Sequence, residues 1–304
     1  MNTKHILSLF LSIVLMVFSA CVETVYDVDL PKTDPKLVVY SYISPDDNLM
    51  VRVTTSRPIT ERQVYGDPRW VKNATVKIKE TGGQLATLTY DQEANYYFSN
   101  LSNLPIRAGR QYEIDVSTPL GLRATAICKV PPQNTTVRIT KVDSSFQSYE
   151  MRYKVRIEFD DLPGEPYFYR IFASAVVEGN DPNNPQGNIF EMDLMFDYGQ
   201  ALIDSRIREG GNFVLEGTLY IYGGVPYNQG RLRGFRVKLL SVDEPYFRFH
   251  RSNNLYDGEN PFAEPVIIYS NIANGLGVFA AYNLHEIYYP ASNYLTTKST
   301  TIGK

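Results

Sequence analysis

Cysteine, histidine and blocks of positive charge are what this chain has least of. Its 304 residues include two cysteines, Cys21 and Cys128, too few for a disulfide framework or a cysteine metal site. Histidine occurs as His5, His250 and His285, and none stands in a metal-binding spacing such as H-E-x-x-H. His285 precedes Glu286, but no second histidine follows at the required turn. The formal charge is −3 and the pI about 5.7. With no run of Lys or Arg, no phosphate-tracking stripe exists, so nucleic acid is not an expected partner. There is no G-x-S-x-G elbow. Nor is there a G-x-x-x-x-G-K-[ST] loop, and Gly210-Gly211 precedes a strand-like run rather than a helix. No catalytic residue, cofactor or metal is therefore expected, and the chain reads as a non-enzyme.

Long apolar runs are missing too, except at the start. Lys4 and His5 form a short basic opening, Ile6 to Phe18 is apolar apart from Ser8 and Ser12, and small Ser19 and Ala20 precede Cys21. This is the order of a secretory signal. The run is shorter than the roughly 20 residues needed to cross about 30 Å of hydrocarbon. Phe18-Ser19-Ala20-Cys21 resembles a bacterial lipoprotein cleavage site, with Phe18 where an aliphatic residue is usual. The expectation is a signal peptide over 1–20, cut before Cys21, with acyl chains on Cys21 anchoring the protein in membrane lipid. An ordinary signal peptide with a coincidental cysteine is the alternative. Residues 21–35, polar and mildly acidic with Pro31 and Pro35, read as the lipidated tether. Cys128, left without a partner, is expected as a small buried hydrophobe in a strand over 123–130.

What the chain does have is tyrosine, 23 of them, and short apolar runs of period two. Both favour β-structure. Ala74, Val76 and Ile78 face one way, opposite Thr75, Lys77 and Lys79; Tyr112, Ile114 and Val116 oppose Glu113 and Asp115. Turn signals separate such runs: Ser44-Pro45-Asp46-Asp47, Thr81-Gly82-Gly83, Ala108-Gly109 and Pro119-Leu120-Gly121. Short strands at this spacing predict an immunoglobulin-like β-sandwich over 36–130. Gly109-Arg110-Gln111-Tyr112 fits either a tyrosine corner or a plain core tyrosine.

Val130-Pro131-Pro132-Gln133-Asn134 interrupts the pattern, because consecutive prolines cannot donate to a ladder. Alternation then restarts. Tyr149, Met151, Tyr153, Val155, Ile157 and Phe159 share one face, with Glu150, Arg152, Lys154, Arg156 and Glu158 on the other. Further strands are expected over 167–178, 212–222, 231–240, 266–270 and 276–282, with a bulge at Gly234 where the apolar phase shifts. One helix is expected within 241–255, capped by Asp243, with Pro245 in its first turn and Tyr246, Phe249, His250 and Asn253 on one face. The fold class is thus all-β: the immunoglobulin-like domain, then a larger β-sandwich or barrel-like domain over 135–285 with one short helix, and a flexible tail over 290–304.

The chain resembles an uncharacterised lipoprotein family of Bacteroidota, domain-of-unknown-function family 4249. The residues carrying the likeness are Lys36-Leu37-Val38-Val39, Ala108-Gly109-Arg110-Gln111-Tyr112, Ser241-Val242-Asp243-Glu244-Pro245-Tyr246 and Asn260-Pro261-Phe262. The closing segment Ser270-Asn271-Ile272-Ala273-Asn274-Gly275-Leu276-Gly277-Val278-Phe279 is the most specific. Genes of this family commonly lie beside TonB-dependent receptors. The resemblance therefore implies a lipid-anchored outer-membrane protein, an accessory or binding component of a TonB-dependent uptake system with a β-barrel receptor as partner. A free-standing surface adhesin or glycan-binding lipoprotein is the alternative. Which face of the membrane it occupies, and which ligand it takes, stay open.

Among candidate sites, Asp160-Asp161 at a strand end could pair as acid and base or be solvated turn residues. Asp181 with Asn183, Asn184 and Asn188, or Asp257 with Glu259 and Asn260, offers loop oxygens for calcium without the twelve-residue EF-hand pattern. Aromatic doublets and triplets point to binding instead: Tyr96-Tyr97-Phe98, Tyr167-Phe168-Tyr169, Tyr246-Phe247 and Tyr288-Tyr289. Neighbours on a strand face opposite ways, so a strand cluster must place a ring outside as well as inside. Exposed tyrosine suits partner and sugar surfaces. The residues alone assign no particular side chain to ligand.

Overall fold

The computed structural model describes residues 34–58, 61, 68–132, 136–147, 150–164, 167–179, 189–197, 201–207, 211–222, 231–256 and 266–292. The signal peptide, Cys21 and both candidate calcium loops lie outside these. The period-two runs of the first half become β1 (Leu37–Ile43), β2 (Leu49–Thr55), β3 (Thr75–Glu80), β4 (Leu85–Asp91), β5 (Tyr96–Ser99), β6 (Gln111–Ser117) and β7 (Arg123–Lys129). In each, alternate side chains enter one core. Val39, Val51, Val76, Ile78, Tyr112 and Val116 are fully enclosed there. Cys128 lies in the same core, and burial pushes its thiol well up.

The choice at Tyr112 is decided by its hydroxyl. It accepts from the Arg107 N–H at 2.8 Å and donates to the Pro105 carbonyl at 3.3 Å. A buried tyrosine bonded back to backbone a few residues upstream is a tyrosine corner.

The second half holds β8 (Val137–Gln147), β9 (Glu150–Asp160), β10 (Phe168–Glu178), β11 (Ile189–Asp193), β12 (Met195–Phe196), β13 (Leu202–Asp204), β14 (Asn212–Tyr222) and β15 (Arg231–Val242). Helix α1 (Glu244–Leu255) and the long strand β16 (Gly275–Pro290) follow. Strands β12-β14-β9-β8 form one sheet. Its inner face, with Val155, Ile157 and Phe159, closes on Tyr169, Ile171, Phe235, Val237 and Leu239 of β10 and β15. Phe159 stacks on Phe213 with ring centroids 5.0 Å apart. Each such side chain removed from water contributes about 1.5–3 kcal/mol. The outer face carries ion pairs, Arg138 with Glu158 and Asp160, and Arg156 with Glu158.

Two expected boundaries shift and one expected strand is absent. The expected helix loses Ser241 and Val242 to β15, whose ladder to β16 reaches Val242↔Tyr282. Asp243 still caps, its Oδ1 accepting from the Tyr246 N–H at 3.0 Å. The run 266–270 forms no strand. The final strand continues to Pro290, because β15 runs antiparallel beside it through Gly234↔Pro290. The bulge falls where expected. Pairing of β10 with β15 slips between Val176↔Gly234 and Val177↔Leu232, and a Cβ at Gly234 would strike the Tyr289 carbonyl oxygen.

Strand β16 joins the two halves into one sheet, ordered β11-β10-β15-β16-β1-β2-β5-β4-β3-β6-β7. Residues 275–281 pair parallel with β1, and residues 282–290 pair antiparallel with β15. The first sandwich is thereby completed by chain from far downstream: Ile272, Phe279 and Ala281 sit in its core. Asn271 makes the seam. Its Nδ2 donates to the Ile127 carbonyl at 3.2 Å and to the Phe279 carbonyl at 2.8 Å, while its Oδ1 accepts from the Phe279 N–H at 3.0 Å. Gly277 holds φ +102° with its Cα against β1, where a Cβ would meet the Val39 carbonyl. Only glycine permits both.

Candidate functional site: an aromatic cleft

Strands β10, β15, β16 and β1 present a second face, opposite the sandwich cores, and α1 packs across it. Leu240, Val242, Tyr246, Phe247, Phe249, Val278 and Ala280 form the apolar contact. Alternation along β1 sends Leu37, Val39 and Ile43 into the first core, so Tyr40 and Tyr42 emerge on the helix side. Along β10 the same rule buries Tyr169 and Ile171 and turns Phe168, Arg170 and Phe172 outward. Helical spacing places Tyr246, Phe249 and His250 on neighbouring positions of α1.

These side chains meet around a cleft of about 660 Å³, lined also by Asp47, Asn48, Met50, Arg52, Tyr96 and Tyr282. The Tyr42 and Tyr246 rings stand edge to face at 5.2 Å, and His250 lies 4.4 Å from Tyr246 and 5.6 Å from Tyr42. Tyr40 meets Phe249 at 5.8 Å. The Arg170 guanidinium lies 4.7 Å from the Phe172 ring and 5.7 Å from Tyr246, donating from Nη1 to the Tyr246 hydroxyl at 3.3 Å. Tyr282 donates its hydroxyl to Asp47. A further cavity of about 650 Å³ opens on the other flank of α1, where Arg170 appears again with Phe247, Asp204 and Arg251.

Burial sets the protonation states here. It pushes the Tyr42, Tyr246 and Tyr282 hydroxyls upward, so all three remain donors at neutral pH. Burial, aided by Arg170, brings His250 down to about 4, leaving it uncharged. Beneath the helix start, burial raises Asp243 to about 7. The formal charges lining the cleft, among the described residues, are Arg170, Arg52 and Asp47. Among the described residues, neither arginine has a carboxylate partner.

The aromatic clusters divide as alternation requires. Tyr97 is buried, its hydroxyl donating to the Val71 carbonyl at 2.6 Å, while Tyr96 faces the cleft. Tyr169 is buried, and its hydroxyl donates to Asp161 at 2.7 Å. Phe168 stacks on Phe247 at 4.5 Å. Tyr288 is exposed. Asp160 is held by Arg138 and Asn212, so the Asp160-Asp161 pair anchors strand ends. Sequence reading missed Tyr40, Tyr42, Arg170 and Tyr282. The i, i+2 spacing of Tyr40 and Tyr42 was the available signal.

A family model described as "Domain of unknown function (DUF4249)" matches residues 23–287. No curated protein matches the chain. Among solved structures, a mutant alpha-2-macroglobulin from Salmonella is similar at 9% identity with a TM-score of 0.24, over 87% of this chain and 15% of that one.

Proposed function

The chain belongs to the DUF4249 family, a domain of unknown function, and on that premise we propose that it is a lipid-anchored, non-enzymatic binding protein of the outer membrane. Its role is that of an accessory component of a TonB-dependent uptake system, with a β-barrel receptor as partner. The observation that carries binding is the cleft beside α1, where six aromatic side chains from four strands and a helix surround two arginines. Such a surface holds a ligand by area and orientation. Its histidine is uncharged at neutral pH and its phenols stay protonated, which suits hydrogen-bonding better than proton transfer.

The anchor is proposed from the lipoprotein-like Phe18-Ser19-Ala20-Cys21 and the polar stretch to Pro35. Acyl chains on Cys21 keep the β-body near the membrane, and that confinement raises its effective concentration toward another membrane protein. The test is gentle detergent extraction, affinity purification and mass spectrometry. A β-barrel receptor is expected in stoichiometric amount. Recovery of the protein alone, repeated under cross-linking, would favour the second reading, a free-standing glycan-binding adhesin, to which the same aromatic cleft is suited.

A further inference from the structure

Arg170 is not placed as a surface arginine usually is. It projects from β10 between two rings, Phe172 on its own strand and Tyr246 on α1, and is fixed by its bond to the Tyr246 hydroxyl. A guanidinium stacked in this way loses little further freedom when it binds an anion, and its planar fork suits a carboxylate. Among the described residues no Asp or Glu neutralises it, although the same strand face and helix could have supplied one. Arg52, on the exposed face of β2, adds a second such cation to the cleft. Among the described residues, the one carboxylate lining the cleft is Asp47, which already takes the Tyr282 hydroxyl.

The rest of the lining states what accompanies the anion. Tyr40 is 39% exposed and Phe172 43% exposed, so both offer ring area to a ligand. Flat apolar ligand surface is stabilised on such rings. Asp47 remains an acceptor, and Asn48 directs Oδ1 to the Leu101 N–H at 3.1 Å, which leaves its NH2 for a ligand. Acceptors and donors beside ring faces match a molecule with several hydroxyls around a flat apolar face. That describes a pyranose. A purely aromatic acid would make no use of the remaining Asp47 lone pairs or of the Asn48 NH2.

Resting on the reading of this cleft as a binding site, we propose that its ligand is an acidic saccharide of the uronic-acid class. The carboxylate is held by Arg170 beside the Phe172 ring, a neighbouring sugar of the same chain lies on Tyr40, whose cross-strand partner is Arg52, and hydroxyls meet Asp47 and Asn48. Acidic sugar chains reach the cell surface as parts of larger polymers. A cleft open along one side can take an internal ring of such a chain, where an enclosed cavity could not.

The experiment uses the mature protein and three probes in calorimetric titration: short oligogalacturonides, their methyl esters, and neutral malto-oligosaccharides. The methyl ester keeps ring and shape while cancelling the charge. Binding of the free acid at least tenfold tighter than its ester is expected, weakening as salt rises. Arg170→Gln should remove that preference, and Arg170→Lys should restore only part of it. Arg52→Gln changes an exposed side chain and should reduce affinity for the acid severalfold without altering the melting temperature. It keeps the test valid if Arg170→Gln folds poorly. Equal affinity for acid and ester would overturn the carboxylate while leaving the cleft as a sugar site. Absence of heat with all three probes would overturn the saccharide assignment. Binding unchanged by Arg52→Gln, Arg170→Gln and Tyr40→Ala together would place the ligand elsewhere and sink the cleft reading itself.

Discussion

At the scale of single residues, the two titrating groups around the first turns of α1 oppose one another. Asp243 rises from 3.8 to about 7 through burial. Between these pH values the folded protein keeps a proton that the unfolded chain has released. Stability from this group is therefore complete below about 4 and is lost as pH rises through 7. His250 falls from 6.5 to about 4. As pH drops below 6.5 the unfolded chain gains a proton the folded one refuses, so stability falls toward acid. The windows overlap with opposite slopes, so wild type should change less between about pH 4 and 6.5 than either single variant does. Asp243→Asn keeps a capping oxygen and should expose the histidine slope, melting higher as pH rises. His250→Gln should expose the aspartate slope, melting lower as pH rises toward 7, by at most about 1.4 kcal/mol per pH unit. The histidine slope should be shallower, because solvent still reaches its ring. Thermal melts from pH 4 to 7 check this, and two flat single variants would refute it.

How far such residues were legible in the sequence depends on how local their cause is. The Asp243 cap, Pro245 and the aromatic run on α1 are local, and they stand where reading placed them. Gly234 was legible because a phase slip in apolar residues has no cheaper remedy than a bulge. Arg170 was illegible: nothing in Tyr169-Arg170-Ile171 tells that Tyr246 arrives beside it from far along the chain.

At the scale of elements, β9 is the strand whose register sequence fixes most firmly. Val155, Ile157 and Phe159 are fully buried, while Arg156 faces water with Glu158. A one-residue slip would exchange the faces. Val155→Asp or Ile157→Asp places an unpaired charge in the core and should cost about 3–5 kcal/mol. Arg156→Asp loses an exposed pair worth about 0–1 kcal/mol. Denaturant unfolding of the three variants measures it, and equal losses would mean the register is wrong. The long strand β16 shows the limit of such reading. Its inner residues are enclosed on both faces along Gly277–Ala281, so alternation vanishes there and reads as an undivided apolar run. Its parallel pairing with β1, more than 230 residues away by the register Leu37↔Gly275, carries no local mark beyond Gly277.

At the scale of the whole molecule, one sheet passes through both halves, and α1 lies where they share a strand. The cleft is therefore built from β1, β2 and β5 of the first half and β10, α1 and β16 of the second. Neither half alone contains it, which is why composition and motif spacing pointed to aromatic binding without assigning residues. The most direct test compares wild type and Cys21→Ser in intact cells, cross-linked, affinity-purified under identical conditions and quantified by mass spectrometry. The account predicts a β-barrel receptor captured with wild type and reduced at least tenfold with Cys21→Ser, which should also leave the membrane fraction. Equal capture from both, or a barrel-free wild type, would contradict it.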